Sequence, residues 1–159
     1  MNVENTLPPW VLEAKALPLA FSQVREDALQ DVALVRAQAA ANGRPVRMLM
    51  IASGGCTAAA LAGRSDVGEL RLTDANPAQL VLTRLKLRLL AERTPGERLA
   101  LLGHTALDPD ERHEGLNAEL TALGLTPDAL GPKALLAHLG PDHAGRYELA
   151  FAALRRVLA

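Results

Sequence analysis

The sequence predicts an α/β domain in which an incomplete parallel sheet is followed by a largely helical C-terminal part. Two segments of strand length, the apolar 46–52 and then 68–74, each lead into a polar turn and a helical pattern, which is the order of a βαβ unit. Ala and Leu supply 60 of the 159 residues and aromatic residues only 3%, a composition that favours helices elsewhere. With 49% hydrophobic residues, the chain can form a core.

The first elements are predicted from periodicity and from turn residues. Residues 24–41 repeat apolar side chains every three to four positions, and Asn42-Gly43 supplies a helix stop. The strand 46–52 is short and apolar, so we expect it to be buried on both faces, as in a three-layer fold. A helix of small residues over 56–62 then leads to the strand 68–74.

The next helix begins with a strong start pattern and runs to about residue 92. Asn76 is a good N-cap, and Pro77 occupies the first helical position, where its missing N–H costs nothing. The expected apolar stripe of this helix consists of Ala78, Val81, Leu82, Leu85 and Leu89. The residues expected to face water are Gln79, Thr83, Lys86 and Arg93.

The remaining chain is predicted to be helical. Four further start patterns are Thr94-Pro95, Asp108-Pro109, Thr126-Pro127 and Gly131-Pro132, and the last helix covers about 142–158. Residues 98–102 are the one additional candidate strand. We divide the chain into an N-terminal arm (1–22), a βαβ core with its preceding helix (23–93) and a helical extension of the same domain (94–159). Trp10 and Phe21 are expected to anchor the arm on the domain.

Charge and composition exclude several classes of function. The chain has 17 basic and 18 acidic residues and no basic run longer than Arg155-Arg156, which argues against a nucleic-acid partner. No unbroken apolar run is longer than about six residues (149–154), which is far too short for a transmembrane segment. The start lacks a basic cluster, so we expect no signal peptide. The single cysteine, Cys56, fits a cytoplasmic protein, and the four histidines lack metal-ligand spacing.

Small and acidic residues follow the two predicted strands. Because parallel strands joined by a right-handed crossover end at the same edge of the sheet, we expect the turn Ser53-Gly54-Gly55 and Asp74 to lie together there. The glycines allow positive φ and close approach, the following helix offers free N–H groups, and Asp74 offers two acceptors to vicinal hydroxyls. A dinucleotide fingerprint is absent, so a nucleoside with a small charged tail, such as S-adenosylmethionine (AdoMet), is favoured over a pyrophosphate.

Four segments resemble one enzyme family. "MIASGGCTAAAL", "LTDANPAQLVLTRLKL", "FSQVREDALQD" and, more loosely, "GRYELAFAALRR" resemble the AdoMet:diacylglycerol 3-amino-3-carboxypropyltransferases of betaine-lipid synthesis and their relatives. The resemblance is dense over about residues 19–90. It implies a Rossmann-like class I AdoMet-binding fold and transfer of the aminocarboxypropyl group of AdoMet to a lipid hydroxyl.

The resemblance also implies roles for individual residues. The AdoMet tail would be lined by Ser53, Gly54, Gly55 and Cys56, and Asp74 would bind the ribose. Asn76, Pro77 and Gln79 would lie beside the adenosine, and Gln23, Glu26 and Asp27 would cover the site from the preceding segment. Catalysis would rest mainly on orientation, because the sulfonium is already activated. Arg25 departs from the family pattern, which has Trp there.

Two other functions remain open from the sequence. An AdoMet-dependent methyltransferase would share this site, and its product would be S-adenosylhomocysteine rather than methylthioadenosine. A truncated or degenerate, non-catalytic AdoMet-binding module is the other alternative, because class I folds have about seven strands and only two are evident here. Unpaired edges of so small a sheet favour self-association.

Overall fold

The structure is a computed structural model that describes residues 19–158. Its elements are α1 (Ala28–Asn42), β1 (Val46–Ile51), α2 (Cys56–Leu61), β2 (Val67–Thr73), α3 (Pro77–Glu92), α4 (Pro95–Leu102), α5 (Pro109–Ala122), α6 (Lys133–Leu139), a 3₁₀ turn (Pro141–His143) and α7 (Arg146–Leu158). The predicted α/β class with a largely helical C-terminal part is confirmed. Trp10 and residues 1–18 of the predicted arm lie outside the described residues.

The two predicted strands form the sheet. β1 and β2 pair in parallel, with Met48 opposite Leu70 and Ile51 opposite Thr73, and α2 connects them as a crossover helix. The candidate third strand at 98–102 is wrong, because these residues belong to α4. A capping box between Thr94 and Glu97 starts that helix, and local capping prevails over the apolar run. Within residues 19–158 the sheet therefore has two strands.

One face of this sheet is open. The side chains of β1 alternate between half-buried and exposed, and Leu49 and Ile51 are 69% and 65% exposed. On the other face Val46 and Met48 lie beside Leu34 of α1 around a shared cleft. The expectation that this strand is buried on both faces, in three layers, is wrong for the described part of the chain, since no described helix covers Leu49 and Ile51.

The core lies around α3 rather than around the sheet. Leu82, Leu85 and Leu89 of α3 are fully buried, as the predicted stripe requires. The residues that pack with this stripe come from the C-terminal helices, from the turn before α6 and from the end of the predicted arm, and they include Leu19, Leu101, Leu116, Leu120, Leu130 and Leu136. The described part of the predicted extension, residues 94–158, thus contributes to one continuous core with α3.

Capping residues and one buried arginine fix the C-terminal helices. Asn76, Thr94 and Asp108 cap α3, α4 and α5 as predicted, whereas Thr126-Pro127 starts only a turn. The guanidinium of Arg112 donates to the carbonyls of Ala100 and Ala137 at 3.1 and 2.6 Å and so joins α4, α5 and α6. Of the helices in residues 19–158, none combines the length and the hydropathy needed to cross a membrane.

Candidate functional site

The turn after β1, residues 53–56, is here called the glycine turn, and the chain itself packs closely against it. Ser53 and Gly55 have positive φ of 52° and 80°, whereas Gly54 does not. A Cβ on Gly54 would lie 2.9 Å from the backbone carbonyl oxygen of Ser22, and one on Gly55 would lie 2.9 Å from the hydroxyl of Thr83. Both glycines are therefore required by close packing of the chain, whether or not a ligand approaches them.

Asp74 joins the two strand ends, as the crossover predicts. Its Oδ2 accepts from the N–H of Ser53 at 3.1 Å and its Oδ1 from the N–H of Asn76 at 2.9 Å. The side chain is half-buried at the carboxyl edge of the sheet. Each carboxylate oxygen can accept a second hydrogen bond, so Asp74 retains acceptor capacity for a hydroxyl.

A polar stripe on one face of α3 packs against the glycine turn. Gln79, Thr83 and Lys86 are spaced four and three residues apart, so they share one face of the helix, and they are 1%, 1% and 6% exposed. The expectation that these three residues face water is wrong. Their helical spacing is visible in the sequence. Their hydrogen-bond partners, which include carbonyls of residues 21–22 and of residues 52–53 just after β1, are distant in sequence and could not be predicted.

Gln79 holds the segment 20–26, here called the cover segment, against the glycine turn. Its amide nitrogen donates to the carbonyls of Phe21 and Ser53 at 2.8 and 2.6 Å, and its amide oxygen accepts from the N–H of Ala20 at 3.0 Å. The three contacts use the side chain internally. Gln79 is thus a clamp in this structure, which differs from the contact with adenosine that the resemblance implies.

Helix α7 fastens the cover segment from the other side. The carboxylate of Glu148 accepts from the N–H of Ser22 at 3.0 Å and is paired with Arg25 at 3.4 Å. The Arg25 guanidinium also lies 4.8 Å from the ring centre of Phe151. Arg25, at the position where the resembled family has Trp, therefore packs on α7 as a cation on an aromatic face.

A cavity of about 250 Å³ opens between the cover segment, the glycine turn and α7. We call it the carboxyl-edge cavity, and its lining consists of Phe21, Gln23, Val24, Arg25, Glu26, Ser53 and Tyr147. Three predicted site residues, Gln23, Glu26 and Ser53, meet there. Tyr147, from the loosely resembling segment "GRYELAFAALRR", lines the cavity as well and lies edge to face with Phe21 at 6.1 Å between ring centres.

The other predicted site residues lie outside the lining of the carboxyl-edge cavity. Asp27 caps α1 by accepting from the N–H of Leu29 at 2.9 Å, and Asn76 caps α3. Pro77 is exposed at the first turn of α3. Cys56 lines a separate cleft, where its sulfur lies 3.5 Å from the Lys86 ammonium. The structure therefore splits the Ser-Gly-Gly-Cys turn between two concave surfaces.

The carboxyl-edge cavity has an aromatic lining with one charge of each sign. It combines the aromatic rings of Phe21 and Tyr147 with the carboxylate of exposed Glu26 and the guanidinium of Arg25, which pairs with Glu148. Aromatic faces and carboxylates both attract cations. On the open sheet face, hydrogen bonds from Arg71 and Arg47 hold the pKa of the Glu69 carboxyl below its usual range. Within residues 19–158 no three His, Cys, Asp or Glu side chains cluster as metal ligands.

Comparisons of this chain with protein-family models, with curated proteins and with solved structures find no significant match.

Proposed function

We propose that this chain binds AdoMet at the carboxyl edge of its sheet, as a protein resembling 3-amino-3-carboxypropyltransferases. The observation that carries the proposal is the convergence of three segments distant in sequence: the cover segment, the glycine turn and the loop after β2. The hydrogen bond from Ser53 N–H to Asp74 and the clamp of Gln79 on Phe21 and Ser53 join them. This is the edge at which parallel α/β sheets bind nucleotides.

The size and chemistry of the cavity suggest how AdoMet would lie. Ligand pockets commonly enclose about 300–1,000 Å³, and this cavity of about 250 Å³ is slightly smaller. We therefore assign it the charged methionine tail, with the sulfonium near Glu26 and the aromatic rings. The ribose would extend along the open edge to Asp74, and the adenine would lie beside Pro77.

The reaction in this proposal is attack of an acceptor oxygen on the γ-carbon of the methionine moiety. The bond from that carbon to sulfur breaks, and methylthioadenosine leaves. The protein's contribution is to orient the acceptor and the γ-carbon, because the sulfonium is already a good leaving group. A lipid hydroxyl is the acceptor class that the family resemblance suggests.

The small sheet favours a second candidate, a non-catalytic AdoMet-binding module. β1 has β2 as its one neighbour among the described residues, and its Leu49 and Ile51 face no described helix. In parallel sheets of enzymes both faces are covered, and acceptor sites lie over the additional strands. Such a module would bind AdoMet without releasing either product.

Calorimetric titration with AdoMet, followed by mass analysis of the products, tests the proposal. Glu26→Gln should weaken binding about two- to fivefold, as expected for loss of a partly exposed charge pair. The matched control is Glu114→Gln, at an exposed position on α5 far along the chain. Absence of AdoMet binding by the wild-type chain would refute the proposal, and equal weakening by both variants would refute the role of Glu26.

Product identity separates the remaining alternatives. Methylthioadenosine formed in the presence of diacylglycerol supports aminocarboxypropyl transfer, whereas S-adenosylhomocysteine identifies a methyltransferase. Binding without either product identifies the non-catalytic module.

A further inference from the structure

A cavity with a volume of about 380 Å³ lies between the cover segment, the end of α6, the 3₁₀ turn and one face of α7. We call it the arginine cavity, because Arg25, Arg155 and Arg156 contribute to its lining. It adjoins the carboxyl-edge cavity, since Gln23 and Arg25 line both. Arg155 and Arg156 line the arginine cavity alone, so the two sites can be altered separately.

The fold concentrates positive charge at this cavity. In the sequence, Arg155-Arg156 is a short basic pair in a chain with a formal charge of -1, and Arg25 lies far away near the other end. The structure brings the three guanidiniums to one cavity, whose lining includes a single carboxylate, that of Glu148. With His143 neutral, three positive charges and one negative charge leave a net charge of +2 on the lining.

The carboxylate of Glu148 does not neutralise Arg155 and Arg156. It is buried and is engaged by the N–H of Ser22 at 3.0 Å and by the guanidinium of Arg25 at 3.4 Å. Arg155 and Arg156 are exposed, and among residues 19–158 no acidic side chain pairs with either of them. Guanidinium groups of this kind bind the oxygens of phosphates through paired hydrogen bonds.

The wall of the cavity beside these charges is apolar. Leu139, Leu149 and Phe151 line it and are 36%, 37% and 41% exposed, so their side chains are accessible to a ligand. From Glu148 to Arg155 the helix advances by about two turns, or roughly 10 Å along its axis. A short apolar group would leave water along this wall while an attached anion contacts the guanidiniums.

We propose that the arginine cavity binds a phosphate monoester that carries an apolar group. The phosphate contacts Arg155 and Arg156, and the apolar group lies on Leu149 and Phe151. A phosphate monoester has a charge of about -1.5 to -2 at pH 7 and three acceptor oxygens, which match the net charge and the two unpaired guanidiniums of the lining. This ligand lies next to the site assigned to the AdoMet tail, but its binding does not depend on that assignment.

A second role of Arg155 and Arg156 is to complement the dipole of α7, because both lie in its last turn. That role alone requires no ligand. It predicts that molecules with and without a phosphate bind to the cavity equally, which is the opposite of the present proposal.

Calorimetric titration of the full chain with three matched probes, in the absence of AdoMet, tests the proposal. Hexyl phosphate has both parts of the ligand, inorganic phosphate lacks the apolar group, and 1-hexanol lacks the charge. We expect hexyl phosphate to bind at least about tenfold more tightly than inorganic phosphate, as when roughly two methylene groups leave water. It should also bind at least about tenfold more tightly than 1-hexanol, because hydrogen bonds between charged groups are strong.

Two double variants assign the phosphate to the arginines. The double variant Arg155→Gln, Arg156→Gln should weaken binding of hexyl phosphate at least about tenfold. The control Arg36→Gln, Arg44→Gln removes the same charge at exposed positions outside the cavity lining. It should change the affinity less than about twofold, because distant exposed charges are screened by salt.

Two single variants on α7 assign the apolar group to the wall. Leu149→Gln should remove most of the preference for hexyl phosphate over inorganic phosphate. Leu154→Gln, at an exposed position of the same helix outside the cavity lining, should keep this preference.

A lipid headgroup and a water-soluble phosphate ester both supply this chemistry, and dihexanoyl phosphatidate distinguishes them. Tighter binding of this probe than of hexyl phosphate identifies a lipid headgroup as the source. Equal or weaker binding identifies a soluble ester.

Equal affinities for hexyl phosphate and 1-hexanol, or no binding of hexyl phosphate, would overturn the proposal. Equal affinities for hexyl phosphate and inorganic phosphate would overturn it too, because the wall would then take no part. The same holds for equal weakening by the two arginine double variants, which would place the phosphate elsewhere. The three affinities of the wild-type chain decide the question even if a variant does not fold.

Discussion

Gly54 shows how one residue can serve both a sequence pattern and a packing requirement. A glycine pair after a strand is typical of nucleotide-binding turns. In this structure, however, backbone atoms of residues 22–24 occupy the space that a Cβ of Gly54 would need. The glycine pattern alone therefore cannot distinguish a ligand from the chain's own cover segment.

This packing gives a prediction for stability. Gly54→Ala should lower the free energy of unfolding by about 1–3 kcal/mol, because overpacking forces the cover segment away from the turn. The control Gly96→Ala has no atom within 4 Å of the added Cβ and should raise the free energy by about 0.5–1 kcal/mol. Denaturant titration measures both, and a Gly54→Ala chain as stable as the wild type would contradict the packing account.

Lys86 gives a second prediction at the residue scale. Lys86→Met should lower the free energy of unfolding by about 3 kcal/mol, because it leaves the buried carboxylate of Asp142 without its main partner. Asp142→Asn in the same chain should recover part of the loss. The control Lys133→Met, at an exposed position, should stay within about 0.5 kcal/mol of the wild type. If Lys86→Met lowers the free energy of unfolding no more than Lys133→Met does, the Lys86–Asp142 ion pair is not buried in solution.

Helix α3 shows which parts of an element the sequence can predict. Asn76, Pro77 and the leucine stripe were all anticipated, because caps and apolar periodicity are local properties. The polar stripe Gln79, Thr83 and Lys86 was misinterpreted, because its partners are the glycine turn and the cover segment. That part of the site could not be predicted because its hydrogen-bond partners are distant in sequence, although the helical propensity of α3 itself is strong.

The start of α4 gives a prediction with a pH dependence. The pKa of Glu97 is lowered chiefly by the hydrogen bond from the Thr94 hydroxyl and then by the Thr94 N–H. A lowered folded pKa means that this stabilisation is present above the pKa of the unfolded chain and is lost as the pH falls through the folded pKa. Thr94→Ala should therefore lower the Tm more at pH 7 than in acid.

Thermal unfolding at a series of pH values checks this prediction. Thr121→Ala, at an exposed position on α5, is the control, and its difference from the wild type should not depend on pH. A difference between wild type and Thr94→Ala that stays constant from neutral to acidic pH would show that Glu97 does not complete the capping box.

At the scale of the whole molecule, the uncovered face of the two-stranded sheet is an exposed apolar surface. Leu49 and Ile51 lie on the uncovered face, beside the ion pairs of Glu69 with Arg47 and Arg71. Both strands also have a free edge within the described part of the chain. The sequence predicted these two strands, but it could not predict which face the helices would leave open.

We expect this surface to cause self-association, because exposed edges and apolar strand residues recruit further chains. Sedimentation analysis of the wild-type chain should show a concentration-dependent oligomer, and Leu49→Lys should shift it toward the monomer. Leu29→Lys on α1 is the matched control, since Leu29 and Leu49 are both 69% exposed. A wild-type chain that is monomeric at all concentrations, or equal effects of the two variants, would contradict this expectation.

Hydrogen exchange with and without AdoMet tests the central claim most directly, because it reports where on the molecule a ligand binds. We expect slower exchange for amides of the cover segment (20–26) and of the glycine turn (53–56), with α5 as the unaffected internal reference. Unchanged exchange at saturating AdoMet, or protection confined to segments other than these two, would contradict the assignment of AdoMet to the carboxyl edge of the sheet.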